Sequence, residues 1–515
     1  MEPTRTDRRT ARRQKRSELA LLKLPFQQLR NPLPPSAWVT PEQVEQLHDA
    51  SLRMLETTGI DMLDDETIDL WSKAGAKVDV KQRRVWIDRH LLLALVAQAP
   101  SSFTLRARNP AHNVFIGENA IAFFPQGGMA YVTSLDTPRQ PGTLAHLQNF
   151  FKLAQMCPVI HGSGGAQVEA QDVPLYKRHL YRELAAFTLS DKVTSAIAHG
   201  RIIPQDVINM AKLIFGDPLP AEPVLLGNIN ASSPLRYDSR MLGGAITLAR
   251  AGQAVIVTPF ILAGAMSPIT MAAAIAQQNA EALAGIATLQ LARPGAPVVY
   301  GGFTTNVDMK SGSPAFGTPE GAWALLVGAQ LARRYHLPYR GSGTLTTAKA
   351  TDAQAAYETM WTLWPAILAH TNVLLHAAGW IDGGLTTSYE KFILDVEMLA
   401  MFQHFFGGFA INDETLALDM IQAIGPGGHH FGTPHTQMRY SSEFYQPFVI
   451  GDRQNWENWE AAGGQDATQR ANAIWKEMLA HYEPPPLDPG IRDALTDYVA
   501  RREQELKGVN LYENI

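Results

Sequence analysis

Pro297-Val-Val-Tyr-Gly301, Pro338-Tyr-Arg-Gly341 and Val373-Leu-Leu-His-Ala377 are three short apolar runs. The stretches between them, about 317–336 and 352–370, carry apolar residues at a 3.6-residue period. Strand, helix, strand in that order predicts parallel β/α architecture. The same beat continues outward. Further runs of strand type stand at 120–124, 159–162, 193–198, 224–227 and 254–259. Helical stretches are expected at about 143–156, 174–190, 203–216, 238–251, 270–293 and 388–406. Several open on good caps: Pro204 in a first turn, Ser267-Pro268, Thr318-Pro319-Glu320 and Thr351-Asp352. Eight strands and eight helices are the count of a (β/α)8 TIM barrel, so the expected fold class is α/β with that barrel over 119–406. Closure rests on taking 120–124 as the first strand; a doubly wound open sheet is the alternative.

The flanks differ from this core. Thr40-Pro41-Glu42 opens a helix, a second short helix follows near 65–74, and 84–87 and 103–105 read as strands. Residues 40–118 therefore form an α+β lead-in. Beyond 407 the beat stops. Gly425-Pro-Gly-Gly-His-His-Phe-Gly432 and Trp456-Glu-Asn-Trp459 belong to an irregular extension, 407–515, expected to pack on the barrel and to end in a charged helix at about 488–507. Residues 1–39 are read as a basic, disordered arm. Its first 16 residues hold seven Arg and Lys against two acidic residues, and removing them takes the net charge from −5 to −10. Docking of this arm to an acidic partner is the functional alternative.

Composition excludes several classes. At 46% apolar and 18% charged, the 515-residue chain is globular, and its −5 charge leaves no nucleic-acid footprint. One cysteine, Cys157, excludes an internal disulfide framework and any multi-Cys zinc site. No apolar run reaches the ~18 residues of a membrane span, and no secretory leader is read, so the cytoplasm is the expected compartment.

In (β/α)8 enzymes the active site lies at the carboxyl ends of the strands. The residues there are Phe124, Gln126, His161, His199, Asn228, Asn230, Phe260, Phe303, Thr304, Arg340, His376 and Trp380. No lysine directly follows a run; Lys310 and Lys349 lie further into loops and are the only candidates for a Schiff-base aldolase or lyase. His429, His430 and His435 form a metal-like cluster without cysteine, expected to be structural, and no metal site is expected. Aromatic side chains crowd the same face. They suit a quaternary ammonium ion, which cannot hydrogen-bond and is recognised by cation–π contact. Arg340 on that rim suits a carboxylate. Together they describe a pocket for a betaine.

Several stretches resemble the trimethylamine methyltransferase family of corrinoid-dependent enzymes. They are Met266-Ser-Pro-Ile-Thr-Met271, Gln278-Asn-Ala-Glu281, Arg293-Pro-Gly-Ala-Pro-Val-Val-Tyr-Gly301, Phe316-Gly-Thr-Pro-Glu320, Asp352-Ala-Gln-Ala-Ala-Tyr-Glu358, His376-Ala-Ala-Gly-Trp380, Ser388-Tyr-Glu-Lys-Phe392 and Gly425-Pro-Gly-Gly428. The resemblance runs from about 40 to about 455. It implies a (β/α)8 fold and transfer of an N-methyl group to the cobalt of a cobalamin-type corrinoid carried by a separate protein.

Archaeal members acting on trimethylamine carry pyrrolysine near the loop after the seventh strand. Here that region reads Arg340-Gly-Ser-Gly-Thr-Leu-Thr-Thr-Ala-Lys349, all standard residues. A quaternary amine is already activated, because it leaves as a neutral tertiary amine. The resemblance thus extends to the branch without pyrrolysine, that of glycine betaine methyltransferases, with proline betaine and carnitine used by relatives. In this reading Phe303, Phe124 and Trp380 face the cation, while Arg340 and His376 hold the carboxylate. Glu358 either orients Arg340 or is a solvated helix carboxylate. A homo-oligomer is expected. The competing functions are the lysine-dependent lyase or aldolase and a non-enzymatic betaine-binding protein.

Overall fold

The computed structural model describes residues 24–511. Of the expected arm 1–39, residues 1–23 lie outside them, whereas 24–39 are described and are not disordered: Leu29–Arg30 pairs with Ala120 and Ile121 in the central sheet. The central sheet has eight strands: β1 (Leu29–Arg30), β2 (Ala120–Phe123), β3 (Thr194–Ile197), β4 (Leu225–Ile229), β5 (Ala254–Val257), β6 (Val298–Gly301), β7 (Tyr339–Ser342) and β8 (Val373–Leu375). Their order is β1-β2-β8-β7-β6-β5-β4-β3, a curled sheet. All neighbours are parallel except β1, which runs antiparallel to β2. Strands this short and apolar on both faces need cover on both, which the intervening helices and the interior side chains supply. The helices are α1 (Leu144–Met156), α2 (Leu175–Leu189), α3 (Ile202–Phe215), α4 (Ser239–Arg250), α5 (Met271–Ala292), α6 (Pro319–Arg334), α7 (Ala353–Leu368) and α8 (Tyr389–Gly407).

Seven of the eight expected runs are strands. The run at 159–162 is not. It touches each edge of the sheet once: the His161 amide donates to Phe123 O (2.9 Å) and the Ser163 amide to Val193 O (2.9 Å). Below that point β1 pairs with Ile121, so part of the β2 edge is already occupied. The His161 ring spans the junction, with Nδ1 accepting from the Phe123 amide and Nε2 donating to Gln27 O. Burial holds the ring's pKa down near 4, which keeps it neutral for that double role. The lower interior is filled by Ala122, Phe124, Leu226, Ile256, Val299 and Val373. Leu105, Val114 and Ile116, from the hairpin Phe103–Leu105/Val114–Ile116, pack against them.

The extension beyond α8 is more regular than its composition implies. It holds helices Asp413–Leu416, Leu418–Ile424, Pro434–Arg439, Trp456–Ala461, α9 (Ala467–Ala480) and α10 (Pro489–Glu505). The first four are short and leave little trace in sequence; α10 is the charged helix expected at about 488–507. α9 packs on α8 and α1, and α10 on α2 and α3. Among the described residues no helix is long and apolar enough to cross a membrane.

Candidate active site at the carboxyl ends of the strands

Alternation along β7 sends Tyr339 toward the surrounding helices and Arg340 inward. Arg340 is buried, at 2% exposure. Its Nη1 donates to Gly302 O at 3.2 Å, while Nε has no partner among the described residues. Its guanidinium carbon lies 5.0 Å from the centre of the Phe303 ring. Burial lowers its pKa to about 9, with only Tyr339 acting in the other direction, so it stays charged at neutral pH without a carboxylate to counter it. An uncompensated buried guanidinium is costly unless something completes its hydrogen bonds.

His376 follows β8 with a left-handed backbone (φ 57°). Two contacts hold that conformation: Thr344 Oγ1 donates to the His376 carbonyl, and Ser342 Oγ lies 3.0 Å from Nδ1. The ring packs 4.6 Å from Trp380 and 5.2 Å from Phe303. Burial, reinforced by the Arg340 charge, holds its pKa well below the ordinary histidine value, so the imidazole is neutral. Trp380 is fixed by its Nε1–H, which donates to Thr346 O at 3.1 Å. Its ring lies over Gly384 (φ 89°), where any Cβ would come within 2.5 Å of the indole. The loop joining His376 to Trp380 is anchored by the Gly379 amide, which donates to buried Asp395 at 2.8 Å.

Phe303 stacks on Phe316 (5.5 Å) and meets Trp380 edge-on (6.1 Å), and Phe316 meets Trp380 edge-on at 5.2 Å. Phe260 adds a fourth ring, 5.1 Å from Phe303. Met129 and Leu345 complete the apolar cluster. Beside it, Asn228 Oδ1 and Thr258 Oγ1 are further buried polar atoms with no partner among the described residues. Thr258 approaches closely because Gly301 has no side chain; a Cβ there would sit 1.9 Å from the hydroxyl. A cavity of about 30 Å³ lies behind Phe303 and Phe316, room for a water or two.

The structure thus brings together four expected residues, Arg340, His376, Trp380 and Phe303. Two others lie elsewhere. Phe124 fills the lower interior, where a Cβ on Gly162 would collide with its ring. Glu358 does not orient Arg340. It accepts from Thr346 Oγ1 (2.6 Å) and the Thr347 amide (2.8 Å), bracing the loop after β7 from α7. The lysines proposed for imine chemistry are both exposed. Lys310 sits in a turn capped by Asp308, and Lys349 bonds Thr347 O at the surface. His429, His430 and His435 lie in the extension, and no group of three or more His, Cys, Asp or Glu among the described residues is placed to hold a metal ion. Phe316, Met129 and Leu345 escaped sequence reasoning because they come from loops without periodicity; Phe316 follows the two-residue strand Pro314–Ala315.

The trimethylamine methyltransferase (MTTB) family model matches residues 5–507, nearly the whole chain. The chain belongs to this family. It is an enzyme of the methyltransferase type. Glycine betaine methyltransferase of Desulfitobacterium hafniense (strain Y51) is 39% identical over 476 residues, covering 92% of this chain and 98% of that protein. Trimethylamine methyltransferase MttB of Desulfitobacterium hafniense (strain DSM 10664 / DCB-2) is 32% identical over 472 residues, 90% and 93% of the two chains. The crystal structure of Methanosarcina barkeri monomethylamine methyltransferase matches with a TM-score of 0.48 at 10% identity, over 95% of this chain and 92% of that one.

Proposed function

We propose that this enzyme transfers one N-methyl group from a betaine, a quaternary amine that also bears a carboxylate, to the cobalt of a corrinoid held by a separate protein. The observation that carries the reading is Arg340: a buried, charged guanidinium with an unpartnered Nε, lying against the face of Phe303. Its unspent donors suit a carboxylate. The rings of Phe303, Phe316 and Trp380 suit the trimethylammonium group beside it. The similarity to glycine betaine methyltransferase supports the same substrate class.

The corrinoid, as methyl acceptor, supplies a reduced cobalt nucleophile. The residues present fit an acceptor arriving from outside, because Phe260, Phe303 and Asn228 at the carboxyl ends of the strands are only partly buried. The chain's own part is positioning. The carboxylate end is held at Arg340 with neutral His376 beside it, and the aromatic rings exclude water around the methyl groups. The amine departs neutral, so no proton has to move. That accords with burial weakening the basicity of His376, the imidazole beside Arg340.

We also read the sheet as a closed (β/α)8 barrel, the 159–163 segment bridging β2 and β3 through its two backbone hydrogen bonds. In this reading 40–118 is the lead-in and 119–406 the barrel. The cytoplasm fits a chain whose one cysteine, Cys157, is free and buried.

The test is substrate choice. Purified protein with a free reduced corrinoid should demethylate a betaine faster than trimethylamine. Arg340→Ala should cut kcat/KM for the betaine at least ~30-fold, the loss expected on deleting one side of a buried charge pair. It should leave choline or tetramethylammonium, which lack a carboxylate, nearly unchanged. Equal losses on both kinds of substrate would remove Arg340 from the carboxylate site. Borohydride should trap no adduct.

A further inference from the structure

The segment 408–444 leaves the end of α8 and returns at Tyr445, whose ring lies 5.5 Å from His404. The amides of Phe448, Val449 and Ile450 then bond Glu397, so the arm leaves from the carboxyl end of α8 and the chain returns to the middle of the same helix. Between those ties the chain is held largely by polar contacts, with one ring contact between His429 and Phe431. Asn412 and Thr415 form a capping box, and Arg439 pairs with Glu414. Thr433 is its one buried residue. Helices Asp413–Leu416, Leu418–Ile424 and Pro434–Arg439 bury nothing.

What the arm exposes is apolar. Phe409, Ile411, Leu418, Phe431, Met438 and Phe444 are between 65% and 88% exposed. At roughly 150–200 Å² per large side chain these six offer on the order of 700 Å². A standard protein interface buries about 800 Å² per partner, and monomers rarely leave patches of this size uncovered. At the root of the arm, Phe405 of α8 is exposed as well.

We infer that the 408–444 arm is a homo-oligomerisation element, covered by a second copy of this chain. Two observations choose this occupant. The first is the area, which reaches the scale of a stable interface with few charges to steer an unlike partner. The second is position. The start of α8 lies at the mouth, where Asp395 meets Gly379 and β-bridged Thr387 meets Gln126. Its far end packs Phe402, Phe405 and Phe406 on Trp364, near the bottom of α7, and the neighbouring Ile367 carbonyl accepts from Asn31 beside the amino end of β2. The arm therefore springs from the face opposite the mouth. A methyl-accepting protein docked there could not present its cobalt to Trp380; that exclusion alone rests on the proposed function.

Sedimentation velocity of the full chain alone, at micromolar concentration, tests the inference without any activity assay. The expected mass is a multiple of 56.5 kDa. Phe431→Glu and Ile411→Lys should shift the distribution to monomer, whereas Val80→Lys, an exposed apolar site on the lead-in, should not. A monomeric wild type overturns the inference, as does an oligomer indifferent to both arm substitutions, or an arm that associates only with the methyl-accepting protein. If the variants aggregate, hydrogen exchange on the wild type decides. Amides of 408–444 should be protected at high protein concentration and lose protection on dilution; equal exchange at both concentrations overturns it.

Discussion

Lys192 and Arg340 are both buried basic side chains that, among the described residues, hydrogen-bond to no carboxylate; burial lowers the pKa of Lys192 to about 7 and that of Arg340 to about 9, and their hydrogen-bond shells differ as well. Lys192, before β3, donates to Ala154 O (2.8 Å), Cys157 O (2.7 Å) and Ile160 O (2.8 Å), which spends all three ammonium donors. Arg340, at the other end of the strands, has a single backbone bond for five N–H groups. A buried cation with a complete shell closes the fold on itself; one with donors to spare waits on a ligand. The difference can be broken by experiment. Lys192→Met strips three buried carbonyls of their donor, at ~1–3 kcal/mol each, and should cost at least ~3 kcal/mol in urea unfolding. Arg340→Met removes an uncompensated charge and should leave stability unchanged or raised. The opposite ranking would mean that Arg340 is the structural cation.

Glu183 on α2 sharpens the contrast. It is fully buried, neither oxygen has a hydrogen-bond partner among the described residues, and Arg182 Nε stands 3.6 Å away. Burial raises its pKa to about 7, and Arg182 offsets only part of that. This group sheds its charge by keeping a proton, whereas Arg340 would have to lose one, which a pKa of about 9 prevents at neutral pH. A folded-state pKa raised above the unfolded value of about 4.5 means that the folded chain holds a proton the unfolded chain has lost. Stability should therefore fall as pH rises from about 4.5 to 7 and level off above, by up to ~3 kcal/mol. Glu183→Gln should flatten that slope and stabilise the protein at pH 8. An unchanged slope would assign the titration to another group.

The fold was legible where periodicity is strong and the chain local. Each helix from α1 to α8 begins and ends within about two residues of its expected position, because each is an apolar stripe between caps such as Thr318-Pro319 and Asp352. Legibility failed where pairing is non-local. Nothing in Leu29–Arg30 announces a strand, and nothing in 159–162 shows that a histidine ring substitutes for part of its ladder. At the site, the expected residues found together lie in or within about five residues of the carboxyl ends of the central strands. Phe124 also ends a strand, yet strand ends lie at different heights in a staggered sheet, and its ring falls in the layer below. Glu358 was misread because helix position tells where a carboxylate starts and not which loop it braces.

Trp380 and Phe124 turn that misreading into a smaller test. Both are inward aromatics, but only Trp380 belongs to the mouth cluster. Trp380→Leu should raise the apparent KM for a betaine about tenfold, since a desolvated cation–π contact is worth ~2 kcal/mol and a tenfold change is 1.4 kcal/mol. Phe124→Leu should lower the melting temperature and leave KM alone. If Phe124→Leu moved KM as far as Trp380→Leu, the two layers would not be separate.

The smallest expected effect separates the two groups placed at the carboxylate end. His376 is neutral because burial and the Arg340 charge both oppose its protonation. Its folded pKa lies below the unfolded value of about 6.5, so its neutral state is intact above that pH and is titrated only well into the acid range. The betaine carboxylate is ionised throughout, and Arg340 keeps its charge. The apparent KM should then vary less than about twofold between pH 6.5 and 8.5, because no group at the carboxylate end changes charge there. His376→Asn, which retains a neutral polar group, should leave that profile flat and shift its level only slightly. A wild-type KM that falls with a one-proton midpoint near 6.5 as the solution is acidified, with the dependence abolished in His376→Asn, would show that an imidazolium helps to bind the carboxylate. The unspent donors of Arg340 would then be only half of the anion site.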